Sequence, residues 1–349
     1  MGFQRCLQEK AVYRKAFDKE FIIVAVYVDD LFVTGTYLEL INQFKRRMAS
    51  QFEMWDLGEL TYYLGIEVSQ EKGCVKIKQE SYAMKILKEA GMEDCNATLC
   101  PMEPGLKLSK AENEPEVEAT HYRKLVGCLR YLLHTRPDLT YPVGVVSRYM
   151  QSPRESHARA VKQILRYLQG TTSFGINYER GNDMKLVGYS DSSHNVDVDD
   201  GRSTTGHVFY LGTSPITWCS QKQATVALSS CEAEFMAATA AACQAIWLRE
   251  LLAELIGLEK QKVLIRVDNK SAIALSKNPV FHGRSKHINT RYHFIRECVE
   301  NEQVVVEHVS GDKQRADALT KALARIRFKE MRSLLGVQEL PSSTQKFRG

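Results

Sequence analysis

The sequence predicts a multi-domain α/β protein, and three observations carry that reading. From Lys185 onward the periodicity runs strand, strand, strand, long helix, strand, helices, strand, helix, the order of a mixed sheet flanked by helices. Near the N-terminus lies a β-rich run, "EFIIVAVYVDDLFVTGT", broken by two adjacent acids. Between Cys95 and Ala119 the chain turns rich in Pro and Glu, with Pro101, Pro104 and Pro115 interrupting any pattern, which reads as a mobile linker and a boundary.

The bounds are those of a folded intracellular protein. A hydrophobic content of 44% over 349 residues is ordinary for globular chains and long enough for two domains. A net charge of +5 permits a polyanionic partner without requiring one. Nine cysteines stand without paired spacings, and Cys95 and Cys100 have no matching Cys or His pair, which argues against zinc and for reduced thiols. "MGFQRCLQEK" lacks a signal-peptide core and no apolar run approaches a membrane span, so an intracellular, cytoplasmic or nuclear, location is expected.

The N-terminal run reads as a hairpin with Asp29 and Asp30 at its tip. On spacing alone, a solvated turn is the commoner use of such a pair. Helical spacing follows at Leu40, Ile41, Phe44 and Met48, and "ESYAMKILKEAG" is a second helix closed by Gly91. After the linker come three helix-like pieces, with Leu125, Leu129, Leu132 and Leu133 on the first and Val161, Ile164, Leu165 and Leu168 on the last. Basic residues beside Tyr122, Tyr131, Tyr149 and Tyr167 fit phosphate contacts and solvated helix faces equally well.

In the C-terminal half the candidate strands are Lys185 to Ser190, Gly206 to Leu211, Ile216 to Ser220, Val263 to Val267 and Val304 to Val309. The long helix starts near Ser230, capped by Ser229, with an apolar stripe at Met236, Ala240, Cys243, Trp247, Leu251 and Leu255. Asp191 ends the first strand, Glu234 lies on the first turns of the long helix, Asp268 ends the fourth strand and Asp317 begins the last helix. Taken singly, Asp268 and Asp317 each read as helix caps. Four clustered carboxylates repel unless cations neutralise them, and hard oxygen ligands call for magnesium or manganese. Glu232 is two residues from Glu234, and a helical wheel does not choose between them.

"YVDD" and "FEMWDLGELTYYLGIEV" resemble the reverse-transcriptase palm of copia-type LTR retrotransposons. "GYSD", "TGHVFYLG", "ITWCSQKQATVALSSCEAEF", "VDNKSAIAL" and "RADALTKAL" resemble the RNase H domain of the same Pol polyproteins. The resemblance implies a truncated palm (α+β) over residues 1–94, a linker and helical thumb or connection segment over 95–184, an RNase H-like mixed-sheet domain over 185–325 and a tail over 326–349. It implies that Asp191, Glu234, Asp268 and Asp317 are catalytic and hold two Mg2+ or Mn2+ ions, and it selects Glu234 over Glu232 as the Glu followed by an aromatic residue. Asp29 and Asp30 take metal-binding positions of the polymerase. The family places a third Asp upstream, and only 26 residues precede Tyr27, so no polymerisation by this chain alone is expected.

The implied activity is hydrolysis of the RNA strand of an RNA–DNA hybrid, with the rest of the same polyprotein as a further partner. The alternative is an inactive or repurposed nucleic-acid-binding remnant. Lys270, Arg284, Lys286, Arg291 and Lys313 are candidate phosphate contacts, each with a solvated face as its plainer use. His287 and His293 sit on an expected helix, and His308 is assigned to packing or strand pairing. The chain departs from the family pattern at Ser193 and His194, where a second Asp and a Trp are usual, and at Ala158, where a Trp is usual.

Overall fold

The structure is a computed structural model and describes residues 2–181, 183–277 and 293–341. Its chain forms two compact units, Met1–Glu59 with Cys243–Val263, and Leu60–Ala242 with Leu264–Gly349.

The first unit is built on an antiparallel meander of β1 (Gln4–Arg5), β2 (Val12–Phe17), β3 (Glu20–Tyr27) and β4 (Asp30–Gly35), followed by α1 (Leu38–Ala49). Ile22 and Val24, two apart on β3, share one face of the pleat and are buried, the period-two burial that the β-branched run anticipates. The β3–β4 hairpin forms as expected, with Tyr27 opposite Asp30 and Val28–Asp29 as the two-residue loop. Val28 reaches φ +51°, a strained value for a β-branched residue. Within the same unit, Cys6 Sγ and the Leu7 amide both donate to Glu254 Oε2 at 2.7 Å, and Arg14 Nε donates to the Leu255 carbonyl at 2.9 Å.

The second unit opens with β5 (Tyr62–Tyr63), β6 (Ile66–Glu71) and β7 (Cys74–Lys78), then α2 (Glu80–Glu89), α3 (Ala119–Leu132), α4 (Thr140–Val146), α5 (Glu155–Gln169) and β8 (Phe174–Glu179). β7 pairs with β8 antiparallel, Ile77 opposite Ile176. That pairing ties residues 60–94 to the later segments, so the compact units divide after Glu59, whereas the sequence boundary falls at 94. The expected stripes pack inward: Leu125, Leu129, Leu132, Val161, Ile164, Leu165 and Leu168 are all buried in one core. A buried ion pair sits in that core, with Arg136 Nε and Nη2 on Asp138 at 2.9 and 2.8 Å, and Tyr167 and Thr171 satisfy the remaining groups.

The expectation of a mobile linker over Cys95 to Ala119 is corrected by packing. Met102 and Leu108 are buried, the Leu108 carbonyl accepts from Tyr149 at 2.8 Å, and His157 hydrogen-bonds the Ser109 carbonyl at 2.7 Å. Prolines rule out helix and strand here, yet the segment still buries side chains and pairs its backbone.

The second sheet comprises β9 (Leu186–Ser192), β10 (Thr204–Leu211), β11 (Ser214–Lys222), β12 (Val263–Val267) and β13 (Val304–His308), in the order β11-β10-β9-β12-β13. β9, β10 and β11 are antiparallel and β12 runs parallel to β9, so the sheet is mixed as expected. α6 (Ser230–Ile256) separates β11 from β12, and α7 (Lys270–Lys277) and α8 (Phe294–Glu300) precede β13. In α6 every residue from Glu232 to Thr239 is buried, as are Ala241, Ala242, Ala245 and Leu248; of the expected stripe Met236 is buried, Leu251 and Leu255 are half-buried, and Ala240, Cys243 and Trp247 are exposed. The expected one-sided stripe therefore holds only in part, because the first turns are buried nearly all round and a helix lined by alanine offers little contrast for a periodicity to register. The segment expected as a tail forms α9 (Arg325–Leu334) and β14 (Val337–Glu339), which pairs with β8. The last strands of the β5–β8 sheet thus come from opposite ends of the unit. No helix among the described residues is long and apolar enough to cross a membrane.

Candidate metal centre

Parallel pairing of β12 with β9 brings the first two acids together. Arg266 lies opposite Tyr189, and two residues further along each strand stand Asp268 and Asp191. Asp268 is free to face the site because Asn269, not Asp268, caps α7, its Oδ1 accepting from the Ala272 amide at 3.0 Å.

Glu234 arrives from the start of α6. Ser229 caps that helix as expected, accepting from the Glu232 amide at 3.2 Å, while Glu232 reaches back to the Leu228 amide at 2.9 Å. Glu232 is thereby committed to the helix terminus. Glu234 points to the sheet, where its Oε1 accepts from the Ser192 amide at 3.0 Å. Gln223 fixes the approach, its Nε2 donating to the Ala233 carbonyl at 2.9 Å and to Thr205 Oγ1 at 3.1 Å.

Carboxylate oxygens of Asp191, Glu234 and Asp268 lie within 4.8 Å of one another. Burial pushes the Asp191 carboxyl up to about 6, Thr320 opposing the rise and the charges of Asp268 and Asp317 adding to it. Glu234 is driven far upward by burial first and then by Asp191 and Asp268, and Asp268 is raised by burial. Glu234 Oε2 is buried with no hydrogen-bond partner among the described residues. A buried unpaired oxygen beside two like charges is costly, and either protonation or a small divalent cation removes the cost, so the cluster is compatible with a divalent metal. The donors are all carboxylate oxygens, which fit magnesium or manganese.

Asp317 stands apart from this triad. It opens a short 3-10 turn, Asp317–Leu319, and not the last helix, because the chain needs a further stretch before α9 begins at Arg325. Lys321 Nζ holds its Oδ1 at 2.5 Å, and Arg327 Nε is 3.9 Å from its Oδ2. Burial lowers the Lys321 pKa, but hydrogen bonding to Asp317 and the charges of Asp317, Asp191 and Asp268 raise it overall. The fourth acid therefore adjoins the triad with an ammonium group against it.

Two residues missed at the level of sequence build this corner. Thr320 Oγ1 donates to Asp191 Oδ2. Gly206 lies directly opposite Asp191 on β10, and a Cβ there would come within 2.7 Å of Thr320 Cγ2 and 2.8 Å of Leu319 Cβ. Only glycine lets the Asp317–Thr320 turn approach the strand this closely. Gln314 completes the anchor by donating to the Ser190 carbonyl at 2.9 Å.

The remaining candidates are dispersed. Asp29 and Asp30 are exposed at their hairpin in the first unit and join no three-ligand group among the described residues. Lys270 is exposed at the first position of α7 and Lys313 is exposed in the turn Gly311–Lys313. Arg284, Lys286, Arg291 and His287 lie outside the described residues. His293 precedes α8, its Nδ1 2.8 Å from Arg296 Nη1. His308, assigned to packing, is exposed at the end of β13 and near enough for its charge to act on Asp268. Ser193 takes a structural place, its Oγ accepting from the Thr204 amide at 2.9 Å, while His194 is exposed.

A five-stranded mixed sheet with acids at its strand ends, a long helix after the third strand and an acid on that helix defines an RNase H-like domain. Comparison with known proteins specifies the family. Residues 1–104 match the family model described as reverse transcriptase (RNA-dependent DNA polymerase). The chain is 39% identical over 344 residues to the retrovirus-related Pol polyprotein from transposon RE1 of Arabidopsis thaliana, covering 98% of this chain and 23% of that one. It is 31% identical over 242 residues to a putative transposon Ty5-1 protein of Saccharomyces cerevisiae, covering 68% of this chain and 79% of that one. The chain belongs to the copia-type, retrovirus-related Pol polyproteins of transposons. It spans about a quarter of the length of the first of these relatives. A solved RNase H1 isolated from compost aligns with 39% of this chain and 93% of its own at 16% identity and a TM-score of 0.29, which adds nothing to the strand order itself.

Proposed function

We propose that the second unit hydrolyses the RNA strand of an RNA–DNA hybrid in a divalent-metal-dependent reaction. The observation that carries this reading is the convergence of Asp191, Glu234 and Asp268, three buried or half-buried acids whose oxygens lie within 4.8 Å, with Glu234 Oε2 unpaired. Asp191, Glu234 and Asp268 would hold the metal, with Asp317 beside them. Magnesium or manganese bound there supplies Lewis acidity toward a phosphate oxygen and a lowered pKa for an attacking water.

The chain's own residues orient and screen. Thr320 keeps one Asp191 oxygen engaged and so fixes the rotamer of the other. The Ser192 amide holds Glu234 Oε1, leaving Oε2 directed into the site. Lys321 neutralises Asp317 and lies close enough to Asp191 and Asp268 to relieve their repulsion before a metal enters.

Incubating the purified chain with a labelled RNA–DNA hybrid and magnesium, beside Asp191→Asn, tests the reading. Cleavage of the RNA strand by the wild type alone is expected. Equal cleavage by both proteins, or none by either, refutes the enzymatic reading and leaves a nucleic-acid-binding remnant.

A further inference from the structure

A second feature of this unit points toward the same substrate. Between α4 and the edge strand β11 lies a cavity of about 270 Å3 lined by Arg130, Thr140, Gly144, Arg148, Ser220 and Lys222. Its polar wall is cationic. Arg148 and Lys222 share the buried Asp197, at 3.0 and 2.7 Å, and Lys222 also meets Asp200 at 2.9 Å, which itself pairs with Arg202. Arg130 is exposed, and among the described residues no hydrogen bond or ion pair engages its guanidinium. The cavity wall therefore has positive charge in excess of its acids.

Two details mark the cavity as built to hold a polar ligand. Thr140 is 8% exposed, and its Oγ1 is buried with no hydrogen-bond partner among the described residues. Such a hydroxyl costs stability, and it leaves a polar group in the cavity wall that no atom of the described residues satisfies. Gly144 lies inside α4 with an ordinary negative φ, and a Cβ there would make ordinary contact, 3.8 Å from the Ser220 carbonyl and 3.9 Å from its Oγ. Neither backbone nor packing requires this glycine, which costs about 1 kcal/mol in a helix relative to alanine. What it preserves is open volume against Ser220.

Position relates the cavity to the metal centre. Asp191, Gly206 and Ser220 form one row across β9, β10 and β11, so their Cβ directions share a face of the sheet. The row separates Ser220 from Asp191 by two strand spacings, roughly 10 Å. We infer that this α4–β11 cavity binds a backbone phosphate of the RNA–DNA hybrid, holding the duplex as it passes the metal centre. The inference rests on the nucleic-acid reading above and concerns binding, not the chemical step.

The test measures binding of a short fluorescent RNA–DNA hybrid in EDTA, where no cleavage occurs, across a salt series. Arg130→Glu is expected to weaken binding about tenfold and to reduce the slope of log affinity against log salt by about one. Gly144→Leu, which fills the cavity, should weaken binding similarly, whereas Gly144→Ala should fold and bind nearly as the wild type does. The magnesium-induced rise in Tm should be unchanged in Arg130→Glu, which separates this pocket from the metal centre. Unaltered hybrid affinity and salt slope in both Arg130→Glu and Gly144→Leu overturns the inference even if the wild type cleaves. If inorganic phosphate at matched ionic strength raises Tm in the wild type but not in Arg130→Glu, while hybrid binding is equal in both, the cavity holds a free anion and the inference also fails.

Discussion

Asp191→Asn should stabilise the metal-free protein, although Asp191 is the residue on which activity is proposed to depend. The side chain is 3% exposed, and its carboxyl is moved from an ordinary 3.8 to about 6, chiefly by burial. An acid with a raised folded-state pKa contributes fully below its unfolded value and loses that contribution as pH rises through the folded value. The wild type therefore loses stability between about pH 4 and pH 6. The loss amounts to ~3 kcal/mol at pH 7. Asparagine removes the charge, keeps an oxygen for Thr320 and offers an amide to the unpaired Glu234 Oε2. Calorimetry in EDTA at pH 7 should show a Tm higher by roughly 5 to 10 °C for the variant, at the few degrees per kcal/mol typical of this size. The gain should shrink toward zero by pH 4, where both proteins are neutral at this position. Saturating magnesium should then raise the wild type more than the variant. A variant that is less stable in EDTA at pH 7, or whose gain does not change with pH, refutes the electrostatic account of the site.

Other perturbations separate the roles of neighbouring residues. Gly206→Ala should push the Asp317–Thr320 turn off β9, costing about 1 to 3 kcal/mol in denaturant unfolding and at least about tenfold in hybrid cleavage. Lys321→Met should lower the metal-free Tm at pH 7 and steepen its rise with magnesium, because the ammonium that screens Asp317, Asp191 and Asp268 is gone; equal magnesium titrations would show that Lys321 has no part in the site's charge balance. Glu232→Gln should retain cleavage and lose about 0.5 to 1 kcal/mol through a weakened helix start. Glu234→Gln should abolish cleavage while raising the metal-free Tm at neutral pH, since burial and its acidic neighbours oppose ionisation there.

Strand order, the long helix and all five sheet strands to within two residues at each end are legible in the sequence, because alternation and helical spacing are local properties of the chain. Asp191 and Asp268 are legible too: each follows an apolar strand, and parallel neighbouring strands deliver their ends to one edge. Periodicity fails where burial is not one-sided or where structure is irregular. The alanine-rich start of α6 is buried on most of its surface, so a one-sided stripe describes it only in part. The Cys95 to Ala119 segment packs without regular elements, and β14 depends on a partner, β8, more than 150 residues earlier.

The sequence by itself determined the elements, their order and the acids available to a metal, since these depend on side-chain type and spacing along the chain. Only the tertiary structure decided which acids meet. Glu232 and Asn269 are consumed by helix ends, and that leaves Glu234 and Asp268 for the site. Lys321 binds Asp317 and holds it beside the triad, while Gly206 admits the turn that carries Thr320 to Asp191. Each of these outcomes is set by a distance between residues remote in sequence, and the energy of a carboxylate depends on what lies within a few ångströms of it.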